Sequence, residues 1–224
     1  QRNADGFEEV MCYYHVTRNQ EYIQSLGFFN INNRQHRVDA HGLSGDDNSH
    51  YSGSPIGAGY MAFGDGGVDD AEDADIILHE YGHSIQDNST TGKYFSENDR
   101  GYGDETGAMG EGFGDYWACS CTHAESVANG FNAAHVGEWD SRSYAGSTPY
   151  MRTIVNSKVY PGSMTGQIHT DGEIWSASLW EIFNALGKTV TDKLVLKSHF
   201  LVPDGPSFAD GANAVLAADA DLYG

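Results

Sequence analysis

A chain of 224 residues is long enough to bury a sizeable core as one large domain or two small subdomains, without depending on disulfide staples. Its 32 acidic against 12 basic side chains leave a formal net charge of −20, which repels nucleic acid and anionic membranes and suits solubility, divalent cations, basic substrates or a salty habitat. No apolar run approaches the roughly 18 to 20 residues that span a bilayer, and the chain does not open with Met, a basic patch and an apolar stretch; the expectation is a soluble, already processed segment with neither nucleic acid nor membrane as partner.

The first periodic segment is FEEVMCYYHVTRNQEYIQSL, residues 7–26. Phe7, Val10, Met11, Tyr14, Tyr22, Ile23 and Leu26 recur mostly at three- and four-residue spacing with Gly27 behind them, which predicts an amphipathic helix with a C-terminal stop. HRVDAHGL has short extended character, and SHYSGSPIGAGYMAFGDGG reads as two short strands interrupted by Gly and Pro. DGGVDDAEDADIILHEYGHSIQ then turns helical after an acidic start, where Asp and Glu suit the helix dipole. A polar loop over 88–103 leads to helical stretches near 104–123, 171–187, 189–200 and 206–222. The chain therefore divides into a mixed α/β part, 1–88, and a mainly helical part, 89–224, within the α+β class. Cys119 and Cys121 lie about 200° apart on a helix, poor partners for each other. A bridge from Cys12 to either one and buried free thiols are both open readings.

Within ILHEYGHSIQD, residues 77–87, His79 and His83 share one helix face and can aim imidazole nitrogens at one ion. Glu80 is turned about 100° from His79, too far round to be a ligand but within reach of a water at the metal. A hydrolytic zinc site needs this set: neutral nitrogen ligands, an open position and a carboxylate base. The third ligand is expected to be an anionic side chain from another helix, and Glu111 in GAMGEGFGDYWA is the candidate. Gly107, Ala108, Gly110, Gly112 and Gly114 allow that helix to approach closely, although so many glycines weaken it in isolation. Asp115, four residues on, can accept a hydrogen bond from the outer nitrogen of a liganding histidine and fix its tautomer.

HEYGH followed by YGDETGAMGEGFGD resembles the thermolysin and fungalysin type of zinc metallopeptidase, and the interval from His83 to Glu111 is closer to the fungalysin branch. The resemblance implies a thermolysin-like catalytic core, abbreviated at its N-terminal end, with one catalytic zinc in the cleft between the two parts. His79, His83 and Glu111 would hold that ion, Glu80 would act as general base and Asp115 would orient His79. Tyr102, nine residues before Glu111, and His169 in GQIHTDGEIWSASLWEI match the two donors to the tetrahedral oxyanion. YMRTI brings over Arg152, which holds the carbonyl after the scissile bond. DDNSHYSG resembles the family's edge strand, with Asn48 on the leaving-amine side and the Ser49 backbone pairing with the extended peptide. SFADGANAVLAADADLYG resembles the penultimate helix, and Asp75 matches a calcium ligand, so Ca2+ is a second candidate ion. His15, His36, His41, His50, His123, His135 and His199 belong to no motif and read as structural or surface residues.

Two departures stand out. Met164 occupies the position of the aspartate that orients the counterpart of His169, which leaves that histidine without an evident partner. By resemblance Ile76 and Met151 line the pocket for the residue after the cut and favour an apolar side chain there, yet Asp69, Asp70, Glu72 and Asp73 are expected to give it a charged rim.

The activity implied is secreted, zinc-dependent endopeptidase cleavage of peptide or protein substrates. A zinc aminopeptidase, or a silent zinc-stabilised binding domain, are the alternatives. The resemblance begins well inside the family's β-rich N-terminal half and stops short of its last helix, so either the branch is compact or a longer precursor, with a propeptide, supplies the rest.

Overall fold

The computed structural model describes residues 6–53, 59–90, 104–143 and 148–224. Helix α1, Gly6–Ser25, buries Cys12, Val16, Asn19 and Ile23 on one face. It stops where predicted, at Gly27, whose φ of 99° lets the Phe28 N–H reach back to the Ile23 carbonyl.

Three short strands follow: β1, Arg37–Asp39; β2, Ser49–Ser52; and β3, Tyr60–Phe63. Their order is β1-β3-β2, with β3 parallel to β1 and antiparallel to β2 in the register Ser49 to Phe63. Strand β2 thus lies at an edge of the described sheet. The Tyr51 hydroxyl ties it to the next helix through Asp87 at 2.7 Å.

A 3₁₀ turn, Asp70–Glu72, leads into α2, Ala74–Thr90. Ile77, Tyr81 and Ile85, four residues apart, are fully buried and fix which face of α2 points inward. Helix α3, Glu105–Asn129, is capped by the Asp104 carboxylate on the Gly107 N–H and ends at Gly130 in the left-handed region. It runs six residues past the predicted end, because polar residues on its outer turns hide the period.

Strands β4, His135–Val136, and β5, Arg152–Thr153, pair antiparallel and flank a second 3₁₀ turn, Asp140–Arg142. Two-residue strands carry no periodicity, and sequence patterning passes over them. Helices α4, Ile168–Leu186; α5, Lys188–Ser198; and α6, Phe208–Tyr223, complete the helical part. All six helices match segments read as helical from the sequence. Among the described residues no helix is long and apolar enough to cross a membrane.

Helix α3 is the centre of the packing, with Phe113, Tyr116 and Trp117 fully buried between α2 and α4. Asp192 of α5 is also fully buried, and it accepts from Tyr22, Tyr116 and Ser120 while pairing with Lys188 at 2.9 Å. One carboxylate so joins α1, α3 and α5, its charge compensated on every side. Cys12, Cys119 and Cys121 are all free, and burial pushes the Cys12 thiol up to about 12.

Gly112 and Gly114 of α3 are required by close approach. A Cβ on Gly114 would lie 2.7 Å from the His79 Nδ1, and one on Gly112 would meet the Gly172 carbonyl and lie 2.8 Å from the Trp175 Cβ. Replacing Gly112 by alanine should raise the helix propensity of α3 and still destabilise the fold by about 1–3 kcal/mol, because helix α4 would have to retreat. Urea denaturation of the two proteins measures this; a Gly112→Ala variant as stable as wild type would mean the helices have slack that the structure does not show.

Candidate metal and hydrolytic site

His79 and His83 lie on one face of α2, and Glu111 meets them from α3. The His79 Nε2 lies 3.1 Å from the Glu111 Oε2 and 3.1 Å from the His83 Nε2, which in turn is 3.7 Å from the Glu111 Oε1. Ligand atoms held at 2.0–2.2 Å around a tetrahedral zinc stand about 3.3–3.6 Å apart, so shifts of a few tenths of an ångström would let these three hold the ion. The donor set, two imidazoles and one carboxylate, is also the chemistry that zinc accepts.

The remaining nitrogen of His79 is fixed from behind. Its Nδ1–H donates to the Asp115 Oδ1 at 2.8 Å, so Nε2 is the nitrogen turned toward Glu111 and would give up its own proton to ligate an ion. Asp115 is fully buried, and Arg152 grips it with both prongs of a fork, Nε at 2.7 Å and Nη2 at 2.8 Å. Burial would raise the Asp115 carboxyl, yet the Arg152 charge and the His79 hydrogen bond hold it well below the usual range. Burial would likewise raise Glu111, but the charge of His83 and the hydrogen bond to His79 keep it down at about 2. Glu111 therefore stands as an anionic oxygen donor.

Glu80 is 5% exposed, although it is a carboxylate. Its Oε1 accepts from the Ser49 hydroxyl at 3.0 Å, and its Oε2 is buried without a hydrogen-bond partner. One helix position from His79, this leaves a buried carboxylate oxygen without the hydrogen bond that burial ordinarily demands. Ser49 brings the end of β2 to the site, and Asn48 beside it is exposed.

His169 sits in the first turn of α4, with its Nε2 3.3 Å from the Glu111 Oε2. The partner that sequence reading could not assign is Gln167. Its Oε1 caps α4 by accepting the Thr170 N–H at 2.6 Å, which turns its Nε2 toward the His169 Nδ1 at 3.0 Å. This amide orientation favours the His169 tautomer with its proton on Nε2, the nitrogen that faces Glu111. No sequence motif announces this pair; a glutamine at a helix N-cap two residues before a candidate histidine is the signal that was available.

Ile76 and Met151 both lie against Gly137, where a Cβ would be 3.3 Å from the Ile76 Cδ1 and 2.8 Å from the Met151 Sδ. They form an apolar corner as expected. The charged rim is different from expectation: Asp70 and Asp73 are buried, 2% and 6% exposed, because Asp73 accepts the backbone N–H groups of Trp139 and Asp140. The Asp75 oxygens accept from Thr122 at 3.0 Å and the Gly137 N–H at 3.3 Å, and Asp75 belongs to none of the carboxylate clusters among the described residues. Tyr102 lies outside the described residues.

A family model described as fungalysin metallopeptidase (M36) matches residues 4–224. Extracellular metalloproteinase 1 of Arthroderma gypseum is 27% identical over 240 residues, covering 90% of this chain and 38% of the relative. Extracellular metalloproteinase 5 of Arthroderma otae is 26% identical over the same shares, and Extracellular metalloproteinase 3 of Trichophyton soudanense is 26% identical over 268 residues, 96% of this chain and 66% of its own. The chain thus spans 38% of the length of the first two relatives.

Truncating Gln167 to alanine should remove both the helix cap, about 1 kcal/mol of stability, and the preference for the Nε2–H tautomer of His169. Imidazole nitrogen shifts measured by NMR check the second effect. An unchanged tautomer in the variant would show that Gln167 does not orient His169.

Proposed function

The chain belongs to the fungalysin metallopeptidase family, and from that premise we propose that it is a zinc-dependent endopeptidase, released from the cell, that hydrolyses internal bonds of peptides or unfolded proteins. The observation that carries the reading is the convergence of His79, His83 and Glu111 beside a Glu80 oxygen that is buried and without a partner.

His79, His83 and Glu111 would hold the single ion, in the cleft between the mixed part, 1–88, and the helical part, 89–224. When bound, zinc supplies Lewis acidity, polarising the scissile carbonyl and acidifying water. Glu80 acts as the base: it takes a proton from the attacking water and returns it to the leaving amine. Ser49 steadies one oxygen of Glu80, so the other is the one that moves the proton. His169 donates from Nε2 to the developing oxyanion, and Tyr102 is proposed as the second donor.

The substrate is proposed to lie extended along β2, pairing with the Ser49 backbone as an added strand, with Asn48 on the leaving-amine side. Arg152 uses Nε and Nη2 on Asp115, so its Nη1 is the group left for the carbonyl after the cut. The apolar corner of Ile76 and Met151 supports an apolar residue after the cleaved bond. Release from the cell is supported by the names of the relatives, which are extracellular metalloproteinases.

Zinc content and proteolysis of wild type and Glu80→Gln test the mechanism. Both should hold one zinc per chain, and the variant should cut an unfolded protein at least about 100-fold more slowly; equal cutting would overturn the role of Glu80. An internally quenched peptide with a blocked N-terminus should be cleaved. Cleavage confined to a free-amine aminoacyl substrate would make the protein an aminopeptidase, and a zinc-loaded wild type that cuts nothing would make it a binding domain.

A further inference from the structure

Asp47, Asp70 and Asp140 come from three separate stretches of chain, and each offers a carboxylate oxygen within 4.8 Å of the others. Asp47 immediately precedes Asn48 and β2, Asp70 opens the 3₁₀ turn before α2, and Asp140 opens the turn between β4 and β5. Asp70 is 2% exposed and Asp140 1%. The Oδ1 of each is buried and has no hydrogen-bond partner. The Ser143 hydroxyl reaches the Asp47 Oδ1 at 3.4 Å, and a Cβ on Gly67 would lie 2.8 Å from the Asp47 Oδ2, so the loops press together around the carboxylates.

Buried carboxylates that face each other without donors need either protons or a cation. Burial first, and then the charges of its neighbours, push Asp70 up to about 8 and Asp140 to about 7.

We propose that Asp47, Asp70 and Asp140 bind a hard divalent cation, calcium, at a site distinct from the zinc site. The oxygen-only donor set excludes zinc as the preferred ion and suits calcium, whose remaining positions would be filled by backbone carbonyls and water. Such an ion joins three stretches: the approach to the edge strand, the entry to α2, and the turn after β4 that follows Gly137. The cation site stands on its own geometry; its consequence for substrate binding rests on the endopeptidase reading.

The test uses the full chain carrying one zinc, freed of other cations by dialysis and titrated with calcium chloride up to millimolar concentration. A second ion per chain should be taken up, and the thermal midpoint should rise by about 5 °C. Asp70→Asn and Asp140→Asn should each lose the calcium response while keeping the zinc. Should either fail to fold, Asp47→Asn, at a half-buried position, should weaken calcium binding at least about tenfold. Zinc content and proteolysis followed in parallel keep a failure here separate from a failure of the endopeptidase reading. The proposal falls if calcium is taken up without a thermal shift, or if the asparagine variants respond as wild type does. It falls equally if wild type ignores calcium while the variants gain stability without it, since the carboxylates would then share protons.

Discussion

Asp115 is a buried charge that the fold has to answer from two directions. Left alone at 0% exposure, a carboxylate costs several kcal/mol, and only close partners offset that. Arg152 offsets it from β5 with two hydrogen bonds, and His79 contributes a third from α2. Position by position, the same contacts set the pose of the His79 imidazole and the place of the Arg152 guanidinium. The placing of both groups follows from the electrostatics of one aspartate.

That arrangement depends on α2 and α3 lying closer than ordinary side chains permit. A Cβ on Gly82 would come within 3.1 Å of the Gly114 Cα. Helix propensity is given up along α3 for contact distance, and the loss is recovered by burying nearly the whole of its first four turns. The buried aromatic residues Phe113, Tyr116 and Trp117 anchor the helix so that its glycines can act as spacers.

Much of this was legible in the sequence, for reasons that differ from element to element. The helices announced themselves through apolar period and through stops such as Gly27, and the pairing of His79 with His83 through a spacing that only a helix turns into geometry. Asp115 was found because its distance from Glu111 keeps both on one helix face. The strands β4 and β5 were missed, being too short for any period to develop. Asp70 and Asp73 were read as part of an exposed acidic rim; they are buried because the 139–140 backbone folds over Asp73, a long-range contact that local pattern does not encode. The Ser49 hydroxyl on Glu80 is of the same kind, joining positions 31 apart in the chain.

Gln167 carries a different kind of consequence. Its oxygen closes the start of α4 and its nitrogen meets the His169 ring, so a single amide serves both the persistence of a helix and the orientation of an imidazole. The two traits are then inherited together. Serine, threonine or aspartate can replace the cap and keep the helix, but none of them also presents an N–H to the imidazole. At this position the chain has few viable mutational neighbours, and robustness of the fold cannot be traded independently of the chemistry it supports.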